Sequence, residues 1–354
     1  MMEPYVIHFA PLQGYTDSVY REAHAQIFGG VETYYTPFVR LEKTGFRNKE
    51  LRDLVPEANT SASLVPQMIA ASPEEFRRIA GLFRESGYRR ADINLGCPFP
   101  MQARQHRGAG ILPYPDEVKV LLETIFEFPE IQFSVKLRLG WDSPEEAQAL
   151  LPFLNGLPLT HLTLHPRIGT QQYKGKTDLS AFSRFYDSCT LPLFYNGDIR
   201  TLPDIRSLTG RFPRLKGIMI GRGLLSSPWL ATEYISDTPL TAQEKIEKLS
   251  AFHALLLAGY SSRLEGGEHQ VLDKMKTLWD YLLLDAEKRL RKKILKSSRL
   301  ADYQEAVRNL IYDTSITYAG TTISATNRLI FMTRYAMRRT AASFRTVSYT
   351  HLTL

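Results

Sequence analysis

Short apolar runs, rich in β-branched and aromatic residues, recur along the first two thirds of the chain, and a longer segment follows each run. The runs lie at residues 7–12, 32–38, 63–69, 91–97, 133–139, 159–165, 191–197 and 217–223. The segments between them are long enough for a helix that returns the chain to the start of a parallel strand. Eight strands alternating with helices predict an α/β fold, specifically a closed (β/α)8 TIM barrel, with a doubly wound open sheet as the alternative.

The pattern changes near Thr241, after which helical periodicity replaces the strand-like runs. Residues 241–264 and 270–311 are interpreted as continuous helical segments, so a smaller all-α helical domain should follow the barrel. The predicted organisation is a catalytic barrel over 1–240, a helical domain over 241–327 and a basic, loosely ordered tail over 328–354. The final VSYTHLTL has no evident structural role.

Nearly every predicted strand ends in polar or small residues. Because the carboxyl ends of barrel strands meet at one mouth, where barrel enzymes build their active sites, we expect these residues to form one ring. Each could also be structural on its own, since a side chain at a strand end can cap a loop or the next helix. The ring contains Pro11–Gly14, Gln67, Asn94 with Cys97, Lys136 with Arg138, His165, Asn196–Asp198, and Gly221 with Arg222.

The stretch INLGCPFP, residues 93–100, ends a buried-looking strand on a cysteine. Free cysteine often does no more than fill a gap in a core. The flanking Gly96 and Pro98 favour a turn that presents Cys97 at the mouth, and a thiol with its usual pKa of about 8.5 is protonated at neutral pH. Such a thiol can donate a proton as a general acid or, with His165 as its base, act as a nucleophile, and both roles stay open at this point. We expect no chemistry from Cys189.

A second motif, IGRG at residues 220–223, precedes a helix-like segment and is typical of an anion site. Its glycines allow close backbone approach, and Arg222 adds a cation. Lys136 lies in an otherwise apolar strand, where an ammonium group needs an anionic or electron-rich partner. A reduced flavin would be such a partner, and a Schiff base is the alternative.

Composition adds a bias toward polyanionic partners, because the 354-residue chain has a formal net charge of +7. No apolar run reaches the roughly 18–20 residues of a membrane span, and the first residues do not resemble a signal peptide. We therefore expect a cytoplasmic protein with reduced thiols, no membrane association and no metal site.

Eight motifs in this order resemble those of the tRNA-dihydrouridine synthases: APLQGYTD (10–17), TPFVR (36–40), PQMIA (66–70), INLGCPFP (93–100), SVKLRLGWDS (134–143), LTLHPR (162–167), YNGDIR (195–200) and GIMIGRGLLSSPWL (217–230). The resemblance implies bound FMN, with NADPH or NADH as co-substrate. Leu12 stands where the family usually has Met, so a backbone contact with flavin is expected there. The implied FMN-binding residues are Pro11, Leu12, Gln13, Gln67, Lys136, His165, Asn196, Gly197, Asp198, Gly221 and Arg222.

The resemblance also implies the reduction of specific uridines in the tRNA D-loop to 5,6-dihydrouridine, with a weak indication of position 16. Hydride would pass from flavin N5 to uracil C6, and Cys97 would protonate C5. Substrate contacts are expected from Asn94, Arg138, Arg40 and Lys276. KMKTLWDYL (274–282) resembles the family's tRNA-binding helix, and loop 99–110 is interpreted as a lid over the substrate.

The predicted helical domain carries a basic run that suits an RNA-binding surface, although such a run is often only a solvated helix face. Two other functions stay open: a flavin-dependent pyrimidine or enoate reductase similar to dihydroorotate dehydrogenase, and a tRNA-binding protein without catalysis. We expect a monomer with no protein partner. The basic run comprises Lys274, Lys276, Lys288, Arg289, Arg291, Lys292, Lys293, Lys296 and Arg299.

Overall fold

The computed structural model describes residues 5–312, and within them nine short parallel strands form one sheet. The order of the strands across the sheet is β3-β2-β1-β9-β8-β7-β6-β5-β4. The strands are β1 Val6–Phe9, β2 Thr33–Tyr35, β3 Leu64–Val65, β4 Gln67–Met68, β5 Arg90–Leu95, β6 Gln132–Gly140, β7 Leu162–Ile168, β8 Leu193–Asn196 and β9 Gly217–Ile220.

The two ends of that order, β3 and β4, are halves of one barrel strand separated by Pro66. Proline has no backbone N–H to donate, so the ladder is interrupted there. The first half pairs with β2 through Tyr34 and Leu64, and the second pairs with β5 through Gln67 and Asp92. The sheet therefore closes on itself as eight strands, and the predicted (β/α)8 barrel is confirmed at the predicted strand positions.

Helices separate the strands and continue after the last one. In α3, Ser72 accepts a hydrogen bond from the backbone N–H of Glu75, and Pro73 occupies the first turn, as its sequence predicts. The helices are α1 Ser18–Ile27, α2 Asn48–Leu54, α3 Pro73–Glu85, α4 Pro100–Ala103, α5 Pro115–Glu123, α6 Glu145–Asn155, α7 Leu179–Ser188, α8 Leu202–Arg211, α9 Arg222–Ser226, α10 Leu230–Ser236, α11 Ala242–Arg263, α12 Gly267–Lys276, α13 Lys288–Lys296 and α14 Leu300–Ile311.

Alternation along each strand decides which side chains enter the barrel. On β6, Phe133, Val135 and Leu137 pack into the main core between the strands and the outer helices. The residues between them therefore face the barrel interior, as do the alternating polar residues of β5 and β7. A small apolar cluster of Ala10, Tyr35, Val65 and Met219 is separate from the main core. The interior-facing polar residues of the three strands are Asp92, Asn94, Ser134, Lys136, Arg138, Thr163, His165 and Arg167.

From Ala242 onward the described chain contains helices and connecting segments, which suits the predicted helical domain, although its boundaries stay a prediction. The expectation of one helix over 270–311 is wrong. α12 ends at Lys276, a short 3-10 turn spans Thr277–Asp280, and the chain reverses before α13. Buried Trp279 causes this break: its indole N–H donates to Tyr303 Oη at 3.0 Å, which anchors the turn against α14.

In the described part of the chain, no helix combines the length and apolar character that crossing a bilayer requires. The predicted tail over 328–354, with its VSYTHLTL end, lies outside the described residues, as do residues 313–327 of the predicted helical domain.

Candidate active site

A cavity of about 450 Å³ opens at the carboxyl ends of the barrel strands. Its size falls within the roughly 300–1,000 Å³ typical of cofactor sites. All eleven residues predicted to hold FMN line it, together with Cys97, Asn94 and Arg138, whereas Arg40 and Lys276 do not. Tertiary structure therefore brings most of the predicted ring into one site. The cavity-lining members of the predicted set are Pro11, Leu12, Gln13, Gln67, Asn94, Cys97, Lys136, Arg138, His165, Asn196, Gly197, Asp198, Gly221 and Arg222.

Asn94 builds the turn that presents Cys97. Its side-chain oxygen Oδ1 accepts hydrogen bonds from the backbone N–H groups of Gly96 and Cys97, both at 2.9 Å. Behind the turn, the N–H of Ala109 donates to the carbonyl of Cys97 at 3.0 Å. Gly108 has a φ of +63°, and a Cβ added there would lie 2.7 Å from Cβ of Cys97. The turn is thus packed on both sides, and only glycine fits at position 108.

The environment of Cys97 favours the protonated thiol. Only 6% of its surface is exposed, and burial raises the pKa of the thiol above its usual value. A backbone hydrogen bond from Phe99 and the charges of Arg138, Lys136 and Arg40 act on this pKa in the opposite direction. Burial dominates, so at neutral pH the sulfur carries a proton that it can donate.

A buried carboxylate continues the hydrogen-bond chain behind Asn94. Asn94 Nδ2 donates to Gln67 Oε1 at 2.7 Å, and Gln67 Nε2 donates to Asp92 Oδ2 at 2.7 Å. The other carboxylate oxygen of Asp92 accepts from Ser134 Oγ at 2.5 Å. Ser134, Asp92, Gln67, Asn94 and the Cys97 turn therefore form one continuous line of hydrogen bonds inside the barrel.

Lys136 extends into the cavity with no hydrogen-bond or ion-pair partner for its ammonium group among residues 5–312. Burial lowers the pKa of Lys136 to about 8; Arg138 adds to the decrease, and Asp92 and Cys97 oppose it. A cation so placed is costly unless a ligand supplies an electron-rich atom. The residue therefore fits a ligand that gains negative charge.

His165 is held as a neutral imidazole. Arg167 Nη1 lies 3.1 Å from His165 Nε2, and a guanidinium can only donate, so Nε2 is the acceptor and the proton resides on Nδ1. Burial lowers the pKa of His165 well below its usual value, and the charges of Arg138, Lys136, Arg167 and Arg222 add to this effect. We find no hydrogen bond between His165 and Cys97 in the described structure, so a base-activated thiol has no support here.

Asp198 bridges two guanidinium groups at the seventh and eighth strand ends. It pairs closely with Arg167, and Arg222 Nη2 donates to its other oxygen at 3.2 Å. Its backbone is left-handed, with a φ of +46°. In this position Asp198 orients Arg222. Its carboxylate would repel a phosphate, so a direct contact with the FMN phosphate is not what this geometry supports.

Gly197 is closely packed against its neighbours beside these charges. Gly197 has a φ of +146°, and an added Cβ would lie 2.8 Å from Thr177 and 3.2 Å from His165. Asn196 uses its Nδ2 to donate to the carbonyl of Met219 at 2.7 Å, which ties β8 to β9 under the two glycines. The backbone beside Arg222 is therefore tightly packed at Gly197 and held in position by Asn196.

The first strand end differs from the expectation in one detail. The backbone N–H of Leu12 donates to Thr16 Oγ1 at 2.8 Å, and its carbonyl accepts from the N–H groups of Tyr15 and Thr16. Both backbone groups of Leu12 are occupied within the turn, so the structure leaves the side chain to line the cavity. A Cβ added at Gly221 would lie 3.5 Å from Leu12 Cδ1, which places the two strand ends side by side.

Arg138 is committed largely to the protein. Its guanidinium donates to the carbonyls of Gly96, Ile168 and Gln172 at 2.6–3.1 Å, and only 1% of the residue is exposed. It thereby ties the Cys97 turn to the loop after β7. On that loop, the Tyr173 ring is approached by two cations, with Arg138 at 5.3 Å and Arg222 at 4.9 Å from its centroid.

The predicted lid contains short helices and an anchored arginine. Arg107 pairs closely with Glu75 of α3 and donates to the carbonyl of Leu41, and it is buried. Gly110 packs against Ala103, where an added Cβ would lie 2.4 Å from Cα. The glycines of this loop thus permit close packing. Whether the exposed Phe99 side moves over a substrate stays a prediction.

Some predicted nucleic-acid contacts are engaged inside the protein. Lys274 pairs with Asp17 at 2.9 Å, and Arg291 donates to the carbonyls of Trp279, Leu282 and Leu283. Lys276 has no hydrogen-bond or ion-pair partner among the described residues and stays free for a ligand. Arg40 pairs with Glu42 at 2.6 Å outside the cavity lining. Four other members of the predicted basic run line one surface depression between α13 and α14, together with Asp302 and Glu305: Arg289, Lys292, Lys293 and Lys296.

Among the residues of the site that the sequence predictions missed are Asp92, Arg167, Tyr173 and Tyr281. Asp92 and Arg167 had a signal, since each is a charged residue at an interior position of a buried strand. Tyr173 lies in an irregular loop, and Tyr281 reaches the cavity from beyond α12. No local pattern marks the two tyrosines, because only chain folding brings their segments to the mouth.

Comparison with known proteins identifies the family of this chain. A family model described as dihydrouridine synthase (Dus) matches residues 8–314. The chain is 29% identical over 239 residues to tRNA-dihydrouridine(16) synthase of Pseudomonas putida, covering 64% of this chain and 72% of that protein. It is 26% identical over 225 residues to tRNA-dihydrouridine synthase B of Pasteurella multocida, covering 63% and 67%.

Among solved structures, morphinone reductase aligns with 67% of this chain and 87% of its own, at 13% identity and a TM-score of 0.45. That likeness is too low to bear on ligand or activity. The family model, by contrast, spans the entire barrel and the described helices after it. This chain belongs to the dihydrouridine synthase family.

Proposed function

We propose that this protein reduces uridines in the D-loop of tRNA to 5,6-dihydrouridine, with FMN bound at the barrel mouth and NADPH as the electron donor. The observation that carries the proposal is one cavity that brings together a protonated thiol, an unpartnered ammonium group, a neutral imidazole and a guanidinium. These are Cys97, Lys136, His165 and Arg222. Membership of the family supports the choice of tRNA as substrate.

The cavity residues fit FMN by charge and by space. Arg222, which lines the cavity beside Gly197 and Gly221, suits a phosphate group. Lys136 suits the edge of a flavin ring that becomes anionic on reduction, and Nδ1–H of His165 is a second donor toward a heterocycle. When bound, FMN would supply hydride to C6 of the uracil ring.

Cys97 would act as the general acid. Addition of hydride at C6 leaves negative charge that is delocalised onto C5 and O4, so C5 must gain a proton. The thiol loses its proton to C5 and is left as a thiolate, which solvent then reprotonates. Burial keeps the thiol protonated before this step, and Arg138, Lys136 and Arg40 stabilise the thiolate after it.

The substrate surface would extend from the mouth onto the helical region. Lys276 in α12 is free to bind a phosphate group. The depression beside α13 is lined by four basic side chains and by Asp302 and Glu305, so its cations outnumber its carboxylates and a phosphate group could be bound there as well. We retain Asn94, Arg138 and Arg40 as proposed substrate contacts near the mouth. For the last two, the structure supports an indirect role through the loops that they hold.

The likeness to the Pseudomonas putida relative named for position 16 supports that position among the D-loop uridines. Mapping dihydrouridine in the product tRNA by mass spectrometry of nuclease fragments tests this choice. If dihydrouridine forms at another position of the D-loop, the proposed reaction stands and the assignment to position 16 is wrong.

We also propose that the protein acts as a monomer, which sedimentation equilibrium with and without tRNA would test.

The main experiment incubates FMN-loaded protein with unmodified tRNA and NADPH and detects uridine that has gained two hydrogens by nucleoside mass spectrometry. Cys97→Ala should lower the rate of dihydrouridine formation by about a hundredfold or more, since general acid catalysis typically contributes that much. The matched control is Cys189→Ala, which removes a thiol remote from the cavity and should leave the rate unchanged.

Flavin reduction separates this proposal from its alternatives. Cys97→Ala should be reduced by NADPH as fast as the wild type, because the thiol acts after the flavin has accepted hydride. A wild-type protein that oxidises NADPH and leaves every uridine intact would overturn the tRNA proposal in favour of a small-molecule reductase. A protein that binds tRNA but no flavin would overturn catalysis altogether.

A further inference from the structure

The carboxylate of Asp92 lies in the barrel interior with no exposed surface, one layer beneath the cavity lining. It accepts hydrogen bonds from Ser134 Oγ and Gln67 Nε2 and makes no other side-chain hydrogen bond within the described residues. Burying a carboxylate costs free energy, which two short charge-assisted hydrogen bonds offset here. The charged form needs a role that an apolar residue could not supply.

The role follows from the direction of the hydrogen bonds. An ionised carboxylate can only accept, so Gln67 must turn its NH2 group toward Asp92 and its oxygen toward Asn94. Asn94 must then turn its own NH2 group toward Gln67, which leaves its Oδ1 facing the N–H groups of Gly96 and Cys97. One anion thus determines the orientation of two amide side chains and the acceptor that shapes the Cys97 turn.

We propose that Asp92 is a positioning residue, which holds the Cys97 thiol in place at the cavity wall through Gln67 and Asn94. The link to catalysis rests on the proposed function, whereas the link to the geometry of Cys97 does not. The amide of Gln67 is directly in the cavity lining, so the same anion also sets which of its groups a ligand meets.

A competing role would be charge compensation for Lys136. Lys136 lies on the neighbouring strand, and the two groups influence each other's charge, but no hydrogen bond or ion pair joins them. Burial raises the pKa of Asp92 to about 6, against the opposing hydrogen bonds of Ser134 and Gln67 and the charge of Lys136. At neutral pH the carboxylate is therefore ionised, as the hydrogen-bond direction requires.

The experiment measures the rate at which iodoacetamide alkylates Cys97 in the full chain, with peptide mass spectrometry resolving Cys97 from Cys189. In Asp92→Ala the orientation of Gln67 and Asn94 is no longer imposed, so the turn should loosen. Cys97 should then be alkylated about tenfold faster, while the rate at Cys189 stays the same. The matched control is Ser134→Ala, which removes a hydrogen bond from the same carboxylate without interrupting the chain to Cys97 and should change the Cys97 rate less than about twofold.

Asp92→Asn replaces the alanine variant in the alkylation experiment if Asp92→Ala does not fold. Its amide can satisfy Ser134 and Gln67 in either of two orientations, so the imposed direction is lost with little change in volume, and the Cys97 rate should rise by about two- to fivefold. A folded variant of either kind with the wild-type alkylation rate overturns the proposal.

Turnover on tRNA gives the second readout. In Asp92→Ala, the less firmly held Cys97 should lower kcat by about tenfold. KM for tRNA should change less than about twofold, because the tRNA-binding surface is not altered. A raised KM with unchanged kcat would instead make Asp92 a determinant of substrate binding and overturn the positioning role. If the wild type makes no dihydrouridine, the proposed function fails, and the alkylation rates still decide whether Asp92 positions Cys97.

Discussion

Lys274 in α12 extends across to the barrel and pairs with Asp17 at the start of α1, with Nζ 2.9 Å from Oδ2. The same ammonium group donates to the carbonyl of Gly14 at 2.6 Å. Tyr260 of α11 donates to the other oxygen of Asp17 at 2.9 Å, and Tyr15 donates to Asp280. The helical region therefore holds the β1–α1 loop, which lines the cavity, by direct hydrogen bonds.

This relationship predicts different effects for two lysines of one helix. Lys274→Ala should lower the free energy of unfolding by about 1 kcal/mol and weaken FMN binding several-fold, because a partly buried ion pair on the cavity loop is lost. Lys276→Ala should leave stability unchanged and raise KM for tRNA several-fold, with a salt dependence reduced by about one charge.

Urea unfolding, flavin fluorescence titration and tRNA kinetics over a salt series measure the three quantities. Each lysine variant is the control for the other, since both remove one charge from α12. If Lys274→Ala is as stable as the wild type but binds tRNA more weakly, then Lys274 leaves Asp17 and contacts the RNA in the complex.

The close packing behind Cys97 makes Gly108 a sensitive position. Gly108→Ala would put a Cβ 2.7 Å from that of Cys97 on a residue with a φ of +63°. The Cys97 turn must shift, so kcat for dihydrouridine formation should fall by about tenfold or more, and stability should fall by about 1–3 kcal/mol. FMN affinity should change little, because Gly108 is not in the cavity lining.

Gly210→Ala is the matched control, because an added Cβ there meets nothing within 4 Å and the residue lies in helix α8. Stopped-flow reduction by NADPH, followed by single-turnover dihydrouridine assays, separates flavin from thiol effects. Full kcat in Gly108→Ala would mean that the thiol position does not limit turnover.

Arg222 is the cation expected to bind the FMN phosphate. Its guanidinium pairs with Asp198 and lies 4.9 Å from the centroid of the Tyr173 ring, so it is already oriented. Arg222→Ala should raise the Kd of FMN by about tenfold, the scale of one charge-assisted hydrogen bond to phosphate.

Fluorescence quenching of FMN by the apoprotein measures this Kd. The control is Arg206→Ala, which removes an exposed arginine paired with Asp237 on the outer helix α8. An unchanged Kd for FMN together with weaker tRNA binding would assign Arg222 to the substrate instead.

Buried His8 and partly buried His161, both in contact with Tyr35, predict a loss of stability in acid. Tyr35 Oη lies 2.9 Å from His8 Nδ1 and 3.3 Å from His161 Nε2. Burial lowers the pKa of His8 to about 3 and that of His161 to about 4, with neighbouring cationic groups adding to it. In the unfolded chain both titrate near 6.5, so between about pH 6.5 and pH 4 the unfolded state binds more protons.

The free energy of unfolding should therefore fall with pH in this range, by about 1–2 kcal/mol per histidine between about pH 7 and pH 5. His161→Gln should be less stable than the wild type at neutral pH, and that difference should shrink in acid. Urea unfolding at the two pH values measures it. The control is His269→Gln, whose histidine side chain is 84% exposed, and whose effect should be the same at both values. Equal pH dependence in wild type and His161→Gln would contradict the assignment.

Much of the barrel could be predicted because strand and helix signals are local. The apolar runs appear at the positions of the strands, and the alternation on β5 and β6 carries Asn94, Lys136 and Arg138 to the interior. The rule that parallel strand ends meet at one mouth then assembles the cavity without any distance information. The division of one strand into β3 and β4 also has a local cause, Pro66, although the apolar run over 63–69 predicts a single strand.

The failures concern partners that are distant in sequence. Lys274 and Lys276 cannot be distinguished within the basic run of the sequence. Lys274 forms an ion pair with Asp17, which the sequence does not place beside it, whereas Lys276 stays free. The sequence pattern of residues 270–311 predicts one helix. The break at Trp279 depends on its hydrogen bond to Tyr303, which lies on a later helix.

By itself, then, the sequence determined the strand order, the residues at the mouth and the cysteine among them, because periodicity and turn chemistry act over a few residues. Tertiary structure alone decided which polar groups satisfy one another. It placed Asp198 between two arginines and connected buried Asp92 to the Cys97 turn. Hydrogen bonds and ion pairs depend on distances of about 3 Å between groups that are tens of residues apart, and no local pattern encodes such distances.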